Sequence, residues 1–178
     1  MAGPGLSNLL MKAKRANITR GGELVRHRRD AAQLKRPGDN ILALVHTFSN
    51  LIGRAFYGPL EVRHHLSVHQ WRILLTLAHH PGATAVDIIA RWALQPMSVS
   101  RAIRELAQSG LIVRRIGSSD RRSQELFLTR KGQRIYDTVV PDANARYHEI
   151  VDCLPPAARA RLARALIMLI ANTKQLVS

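Results

Sequence analysis

The segment 95–110, QPMSVSRAIRELAQSG, carries two arginines, a glutamate, two long amides, a methionine thioether and three small hydroxyls within five turns' length of chain. Pro96 can open a helix there, because the first amide of a helix has no partner to lose. Met97, Arg101, Arg104 and Gln108 then fall in one outward row, with Ser98 and Ser100 on its flanks. Guanidinium, amide and hydroxyl groups in such a row suit the edges of bases and the phosphates beside them. The opposite stripe, Val99, Ala102, Ile103 and Leu106, is apolar at three-and-four spacing, the mark of a face that a core covers.

The composition points the same way. Twenty-seven Lys and Arg against 12 Asp and Glu give a formal net charge of +15, with a pI near 11.5, as expected for a protein with a polyanionic partner such as nucleic acid. Aromatics are only 4%, so stacking on single-stranded bases is poorly supplied and double-stranded DNA is the expected form. A length of 178 residues suits one main domain with an appendage.

The single cysteine, Cys153, excludes an intramolecular disulfide framework and a Cys-rich zinc site, and it favours the cytoplasm. Placed just before Pro155-Pro156, it reads as a structural residue. No apolar run is long enough for a secretory signal or a membrane span, so a soluble protein with no membrane partner is expected. The chain is not expected to be an enzyme. The serines of the 95–110 segment have no histidine in reach, and no glycine-rich loop opens a helix, so no catalytic residue is assigned.

The elements that must position the outward row can be read on either side of it. Residues 40–56 keep a helical period through Ile41, Leu44, Val45, Phe48, Ile52, Ala55 and Phe56, which predicts a buried helix interrupted at Gly58-Pro59. Ser67 and Gln70 have the spacing of a capping box, followed by Trp71, Leu74, Leu75 and Ala78 on one face and a stop at Pro81-Gly82. Thr84 with Asp87 opens a short helix with Ala85, Ile88, Ile89 and Trp92 inward. Leu94-Gln95 then makes a tight turn into the Pro96 helix. Two short helices joined in this way form a helix-turn-helix whose second member is the recognition helix.

Residues 111–116 and 124–128 alternate as two strands of a hairpin across GSSDRRS, a wing with Asp120, Arg121 and Arg122 at its tip. Thr129 caps a long helix that begins with Arg130 and Lys131, cations placed at the positive end of the helix dipole. A phosphate nearby would offset that cost. The helix is expected to kink at Pro141 and to end at Pro155-Pro156. A final helix from Pro156 to about Gln175 sets Leu162, Leu166, Leu169 and Ile170 on one side, and with the first helix it calls for a partner, most economically a second copy of the chain.

The expected organisation is therefore mainly α (α+β): a basic N-terminal extension over 1–39, partly disordered, a winged helix-turn-helix over 67–128, and dimerisation helices over 40–66 and 129–178. The extension holds nine basic side chains against three acidic ones. It reads either as a solvated leader or as an arm that lies along DNA phosphates or covers the dimer partner.

This order of elements, together with LQPMSVSRAIRELAQSGLIVRR and SSDRRSQELFLTRKG, resembles the MarR family of bacterial transcription regulators over roughly residues 40–175. The wing carries the most specific part: Asp120-Arg121-Arg122, then Leu126, Leu128-Thr129 and Lys131-Gly132, is similar to the family's D-x-R wing and the L-T-x-x-G that follows. The recognition helix matches at Pro96, Val99, Ser100, Arg101, Leu106 and Gly110, whereas Met97 stands where small polar residues are commoner. The resemblance implies a cytoplasmic, homodimeric, ligand-responsive regulator, mostly a repressor, that binds a pseudo-palindrome and releases it when a small molecule enters a crevice between the DNA-binding and dimer helices. Met97, Ser98 and Arg101 are then expected at bases, and Ser100, Arg104, Gln108, Arg130 and Lys131 at phosphates. Arg121 or Arg122 is expected in the flanking minor groove, with Asp120 ordering the wing turn.

The effector crevice implied by the resemblance would draw on His46, Asn50, Arg54, Tyr57, His65, Trp71 and Arg72. Arg54 and Arg72 could grip a carboxylate or phosphate and Trp71 could stack on a ring, which suits an anionic aromatic acid or its acyl thioester. The competing reading makes Trp71 plain core and leaves the arginines lying along the surface. His64, His65 and His69 raise a metal-responsive variant of the same fold and Cys153 a redox-responsive one, but no cysteine or paired carboxylate completes a ligand set near the histidines, so no metal and no cofactor is expected. A sequence-nonspecific architectural DNA-binding protein would share the charge but would not need a defined outward row.

Overall fold

The computed structural model describes residues 40–116 and 124–177, and the chain divides into two units, residues 1–49 and 50–178. The expectations for the leader 1–39 and for Asp120, Arg121 and Arg122 lie outside the described residues.

Helix α1, Ile41–Ile52, opens in the first unit with the Asn40 side chain accepting from the amide of Leu42 at 2.9 Å. The expected buried helix is not found. No residue of α1 is buried, and Ile41, Leu42, Leu44 and Phe48 are exposed. A helical period shows that one face is to be covered, not that this chain covers it.

The expected interruption at Gly58-Pro59 is also corrected. The backbone widens into one π-helical turn, Gly53–Tyr57, closed by the Gly58 amide on the Gly53 carbonyl, and continues as α2, Gly58–His64. That turn sets Pro59 in the first turn of α2, where a missing amide costs no hydrogen bond. His65, with φ 54, then ends the helix in the left-handed region.

The second unit is built on α3, Val68–His79, α4, Ala85–Trp92, α5, Pro96–Gln108, the hairpin β1, Ile112–Ile116, with β2, Gln124–Leu128, and the first half of α6, Arg130–Val151. Ser67 and Gln70 form the expected capping box at α3, and Thr84 and Asp87 form the one at α4. The covered face of α3 is wider than the spacing suggested: Ile73, Thr76 and Leu77 are buried along with Trp71 and Leu74, whereas Leu75 and Ala78 are only half-buried. Thr76 can be buried because its hydroxyl donates to the Arg72 carbonyl at 2.7 Å and accepts from the Trp92 indole at 2.9 Å.

One core joins these elements. Leu60 of α2, Leu66, Ile73, Leu74 and Leu77 of α3, Ile88 of α4, the α5 stripe, Ile112, Leu126, and Val139 and Ala143 of α6 are all buried in it. The hairpin is antiparallel with Val113 opposite Phe127, and the chain before α4 bonds to the free edge of β2, Gly82 donating to Leu126 at 2.9 Å and Leu126 to Ala83 at 3.2 Å. That third edge pairing had no signal in the local sequence.

Helix α6 runs as one element through Pro141, which is exposed, and it ends at Val151, four residues before Pro155-Pro156. Helix α7, Pro156–Leu176, has no buried residue, and Ile167, Met168 and Ile170 are exposed. Cys153 is exposed too, so its expected structural role is not met; its thiol lies 3.4 Å from the Ile150 carbonyl.

Candidate nucleic-acid interface

Helix α5 has the two faces its spacing predicts. Val99, Ala102, Ile103 and Leu106 are each at most 5% exposed, and burying side chains of this size is worth about 1.5–3 kcal/mol for each of the larger ones. Met97, Ser100, Arg101, Arg104 and Gln108 are exposed on the other side, and Ser98 is half-buried. With Glu105, these residues line an open groove of about 680 Å³ along the outer face. Gln95 precedes the helix in an extended conformation and Pro96 takes the first turn, as the sequence predicts.

The turn into α5 depends on the end of α4. Ala93 closes α4 with φ 50, and the amide of Leu94 bonds back to the Ile89 carbonyl at 3.2 Å. At the start of α4 the Asp87 carboxylate accepts from the Thr84 amide and from the Thr84 hydroxyl, both at 2.8 Å. Those two bonds, the backbone one foremost and with Arg91 assisting, hold the Asp87 carboxyl below its ordinary range despite some burial.

The groove is not a loose set of side chains. Arg101 Nε donates to Glu105 Oε1 at 2.9 Å, and Glu105 Oε2 accepts from Gln70 Nε2 at 2.9 Å. Gln70 Oε1 in turn accepts from the Ser67 amide at 2.9 Å. The chain of contacts therefore runs from the cap of α3 to the exposed guanidinium of α5. Spacing alone pairs Arg101 with Glu105 one turn on, but Gln70 is 35 residues away and no local rule could have supplied it.

Beyond α5, Thr129 accepts from the Gly132 amide at 3.0 Å and donates to the Gly110 carbonyl at 2.7 Å. Lys131 Nζ donates to the Ser109 carbonyl at 2.9 Å, at the negative end of α5. The local cost of Lys131 at the start of α6, which from sequence asked for a phosphate, is thus offset inside the protein. Arg130 is exposed. On the hairpin, Arg114 and Arg115 are exposed as well, Arg115 with its guanidinium 4.8 Å from the Phe127 ring centre, and neither was singled out by sequence.

The effector candidates separate. Trp71 is 4% exposed and stacks on Tyr136 with ring centres 5.6 Å apart, so its ring faces belong to the core. Burial, with Asp137 assisting, raises the Tyr136 hydroxyl above the usual phenol range, and that hydroxyl lies 3.1 Å from His79 Nε2. Arg72 and Tyr57 do come together: the guanidinium sits 5.1 Å from the Tyr57 ring centre, with Nε donating to the Tyr57 hydroxyl at 3.3 Å. Trp92, which sequence had assigned only to packing, flanks the same guanidinium at 5.2 Å. Asn50, Arg54 and His65 are exposed, and His46 is exposed in the first unit.

Of the histidine group, His64 Nε2 contacts Asp142 at 2.7 Å beside an Arg63–Asp142 ion pair at 3.0 Å, which ties α2 to α6. Among the described residues no helix is long and apolar enough to cross a membrane.

Comparison with known proteins finds the same arrangement elsewhere. The MarR family model matches residues 64–123, from the end of α2 into the hairpin. The homoprotocatechuate degradative operon repressor of Escherichia coli is 27% identical over 96 residues, 54% of this chain and 65% of that protein. An uncharacterized HTH-type transcriptional regulator of Staphylococcus aureus is 28% identical over 93 residues, 52% of this chain and 64% of its own length. The chain thus matches just under two thirds of the length of these curated relatives.

Among solved structures, a MarR/EmrR family transcriptional regulator from Acinetobacter sp. ADP1 superposes with a TM-score of 0.73 at 20% identity, over 79% of this chain and 99% of that one. CouR from Rhodococcus jostii RHA1, bound to p-coumaroyl-CoA, superposes with a TM-score of 0.67 at 22% identity, over 74% of this chain and 92% of that one. These likenesses establish the winged-helix fold, and over residues 64–123, which span α3, α4, α5 and the start of the hairpin, the sequence is that of the MarR family.

Proposed function

We propose that this protein is a transcription repressor that binds double-stranded DNA as a homodimer and lets go of its operator when a small anionic ligand binds. The observation that carries the reading is the exposed row on α5, Met97, Ser100, Arg101, Arg104 and Gln108, standing opposite four buried apolar residues on a helix that Pro96 opens and Lys131 closes at Ser109. In a helix-turn-helix this row enters the major groove, and two copies read half-sites roughly 34 to 36 Å apart. Met97, Ser98 and Arg101 take the bases; Ser100, Arg104, Gln108 and Arg130 take phosphates, and Lys131 does so from the position where it also closes α5. Arg121 or Arg122 serves the flanking minor groove, with Asp120 ordering that turn. The relatives it resembles are transcription regulators, and the reading of this chain is likewise a regulator and not an enzyme.

The two-part organisation is kept as proposed from sequence, with the winged helix-turn-helix over 67–128 and dimerisation helices over 40–66 and 129–178. The exposed apolar residues of α1 and α7 support it, because a lone chain would leave them in water. The ligand is an aromatic carboxylate or its acyl thioester. Arg72, between Tyr57 and Trp92, offers a cation framed by rings, and one structural neighbour holds p-coumaroyl-CoA.

The test is a binding assay with an operator recovered from randomised duplexes. The wild-type protein should prefer it over random duplex by roughly 10³ or more. Replacing Arg101 with Ala should weaken operator binding by about 1 to 3 kcal/mol. Equal affinity for operator and random duplex would replace the regulator with an architectural protein of the same fold.

A further inference from the structure

We propose that Gln70 and Glu105 are positioning residues for base recognition: they fix the Arg101 guanidinium by its Nε so that its two terminal nitrogens face the DNA as a fork, and the operator carries a guanine under Arg101 in each half-site. This rests on the reading of α5 as the recognition helix.

Glu105 is bonded on both oxygens, Oε1 to Arg101 Nε at 2.9 Å and Oε2 to Gln70 Nε2 at 2.9 Å, so its carboxylate cannot swing without breaking one of them. Gln70 is fixed in turn, because its carbonyl oxygen accepts from the Ser67 amide in the cap of α3. Helix α3 lies in the core through Trp71, Ile73, Leu74 and Leu77, and so the anchor ends on rigid structure. The Arg101 side chain nevertheless remains 80% exposed, and among the described residues its terminal nitrogens make no hydrogen bond.

An isolated exposed arginine pair one turn apart on a helix contributes little to stability. Its use here is geometric. Arginine that keeps Nε occupied presents two parallel N–H donors, the match for O6 and N7 of guanine in the major groove, whereas adenine offers one donor and one acceptor there. A side chain held in one rotamer also loses less entropy on binding, and it reads one base rather than several.

The acidic group is otherwise out of place. Glu105 lines the groove that is to meet phosphates, and a carboxylate there weakens DNA binding in general unless it adds selectivity.

The test is selection from a randomised duplex pool, followed by affinity measurements on the selected site and on versions with the guanine replaced. Four proteins are compared: wild type, Arg101→Ala, Glu105→Gln and Gln70→Glu. The last keeps the cap of α3, since glutamate is the usual partner of a Ser N-cap, but it cannot donate to Glu105 and faces it with a second carboxylate. Wild type should prefer guanine by roughly tenfold or more, and Arg101→Ala should lose that preference.

Glu105→Gln should bind random duplex more tightly than wild type and Gln70→Glu less tightly, yet both should reduce the guanine preference to about threefold or less, with melting temperatures near that of wild type. A merely structural contact would not lower selectivity while general affinity moves in opposite directions. If Arg101→Ala loses the preference while both other variants keep it, the positioning roles are wrong and the recognition helix stands. If Arg101→Ala keeps it, the assignment of Arg101 as a base reader is wrong as well.

Discussion

Lys131, in the first turn of α6, reaches back 22 residues to donate its ammonium to the Ser109 carbonyl at the end of α5. One side chain bears on two helix ends: the cation is unfavourable at the start of its own helix and favourable at the end of the other. Removing it by Lys131→Ala should lower stability by about 0.5 to 1 kcal/mol, a shift of a few degrees in melting temperature for a chain of this size. Arg130→Ala next door should leave the melting temperature alone and reduce the slope of log affinity against log salt by about 0.9, the value for one phosphate contact. Thermal melts and salt titrations of the two variants separate the roles. Lys131→Ala should lower the slope as well, and an unchanged melting temperature in that variant would remove its role at the end of α5.

Gly132 carries a prediction whose sign runs against helix propensity. In an exposed helix, glycine to alanine gains roughly 0.8 to 1.0 kcal/mol. Here a Cβ would be driven into the backbone oxygen of Leu111, a part of the chain pinned by the Thr129 amide bond at 3.0 Å and by the turn out of α5. Gly132→Ala should therefore destabilise by about 3 kcal/mol or more, because backbone rather than a flexible side-chain end must give way. Chemical denaturation measures it. A neutral or stabilising result would mean that the α5–β1 connection is looser than it stands here.

The contrast between these two residues shows what could be read in advance. The caps at Ser67, Thr84 and Thr129, the start of α5 at Pro96 and its buried stripe follow rules that act over three or four residues, so they were legible. Gly132 was visible only as part of a motif, because its reason is a backbone 21 positions earlier in the chain. The same holds for Gln70, which local spacing identified as a cap but which also reaches Glu105. Helix α1 failed in a different way, since its apolar period was real and yet none of its residues is buried. Trp71 and Trp92 exchanged places for the corresponding reason: which indole faces Arg72 depends on how α3 and α4 pack.

Two groups give the stability of the fold a dependence on pH. Asp87 ionises more readily in the folded protein than in the unfolded chain, so the stability it contributes is present above the ordinary carboxylate pKa of 3.8 and is lost as pH falls through its lower folded value. Tyr136 is shifted upward, so its contribution is complete below the ordinary phenol value of 10.0 and is lost as pH rises through its higher folded value. Melting temperature should fall at both extremes. Asp87→Asn should flatten the acid limb and Tyr136→Phe the alkaline limb, with little exchange between them. An alkaline limb unchanged in Tyr136→Phe would assign that loss to another group.

The exposed apolar residues of α7 give the sharpest test of assembly. Ile167, Met168 and Ile170 are 65%, 72% and 55% exposed, and no residue of this 21-residue helix is buried. Each such side chain left in water forgoes about 1.5 to 3 kcal/mol that burial would return. A second copy covering them would also set two α5 helices at a fixed separation. Ile170→Glu, a change at a position the single chain does not cover, should leave the helix content of the protein intact. In sedimentation it should convert a species of two 19.9 kDa chains into one. Operator affinity should drop by a hundredfold or so while a single half-site is bound as before, since linking two reading heads commonly raises avidity by 10² to 10⁴ without any new contact. If Ile170→Glu remains dimeric, α7 does not hold the two copies together, and the exposed row of α1 becomes the surface to alter next.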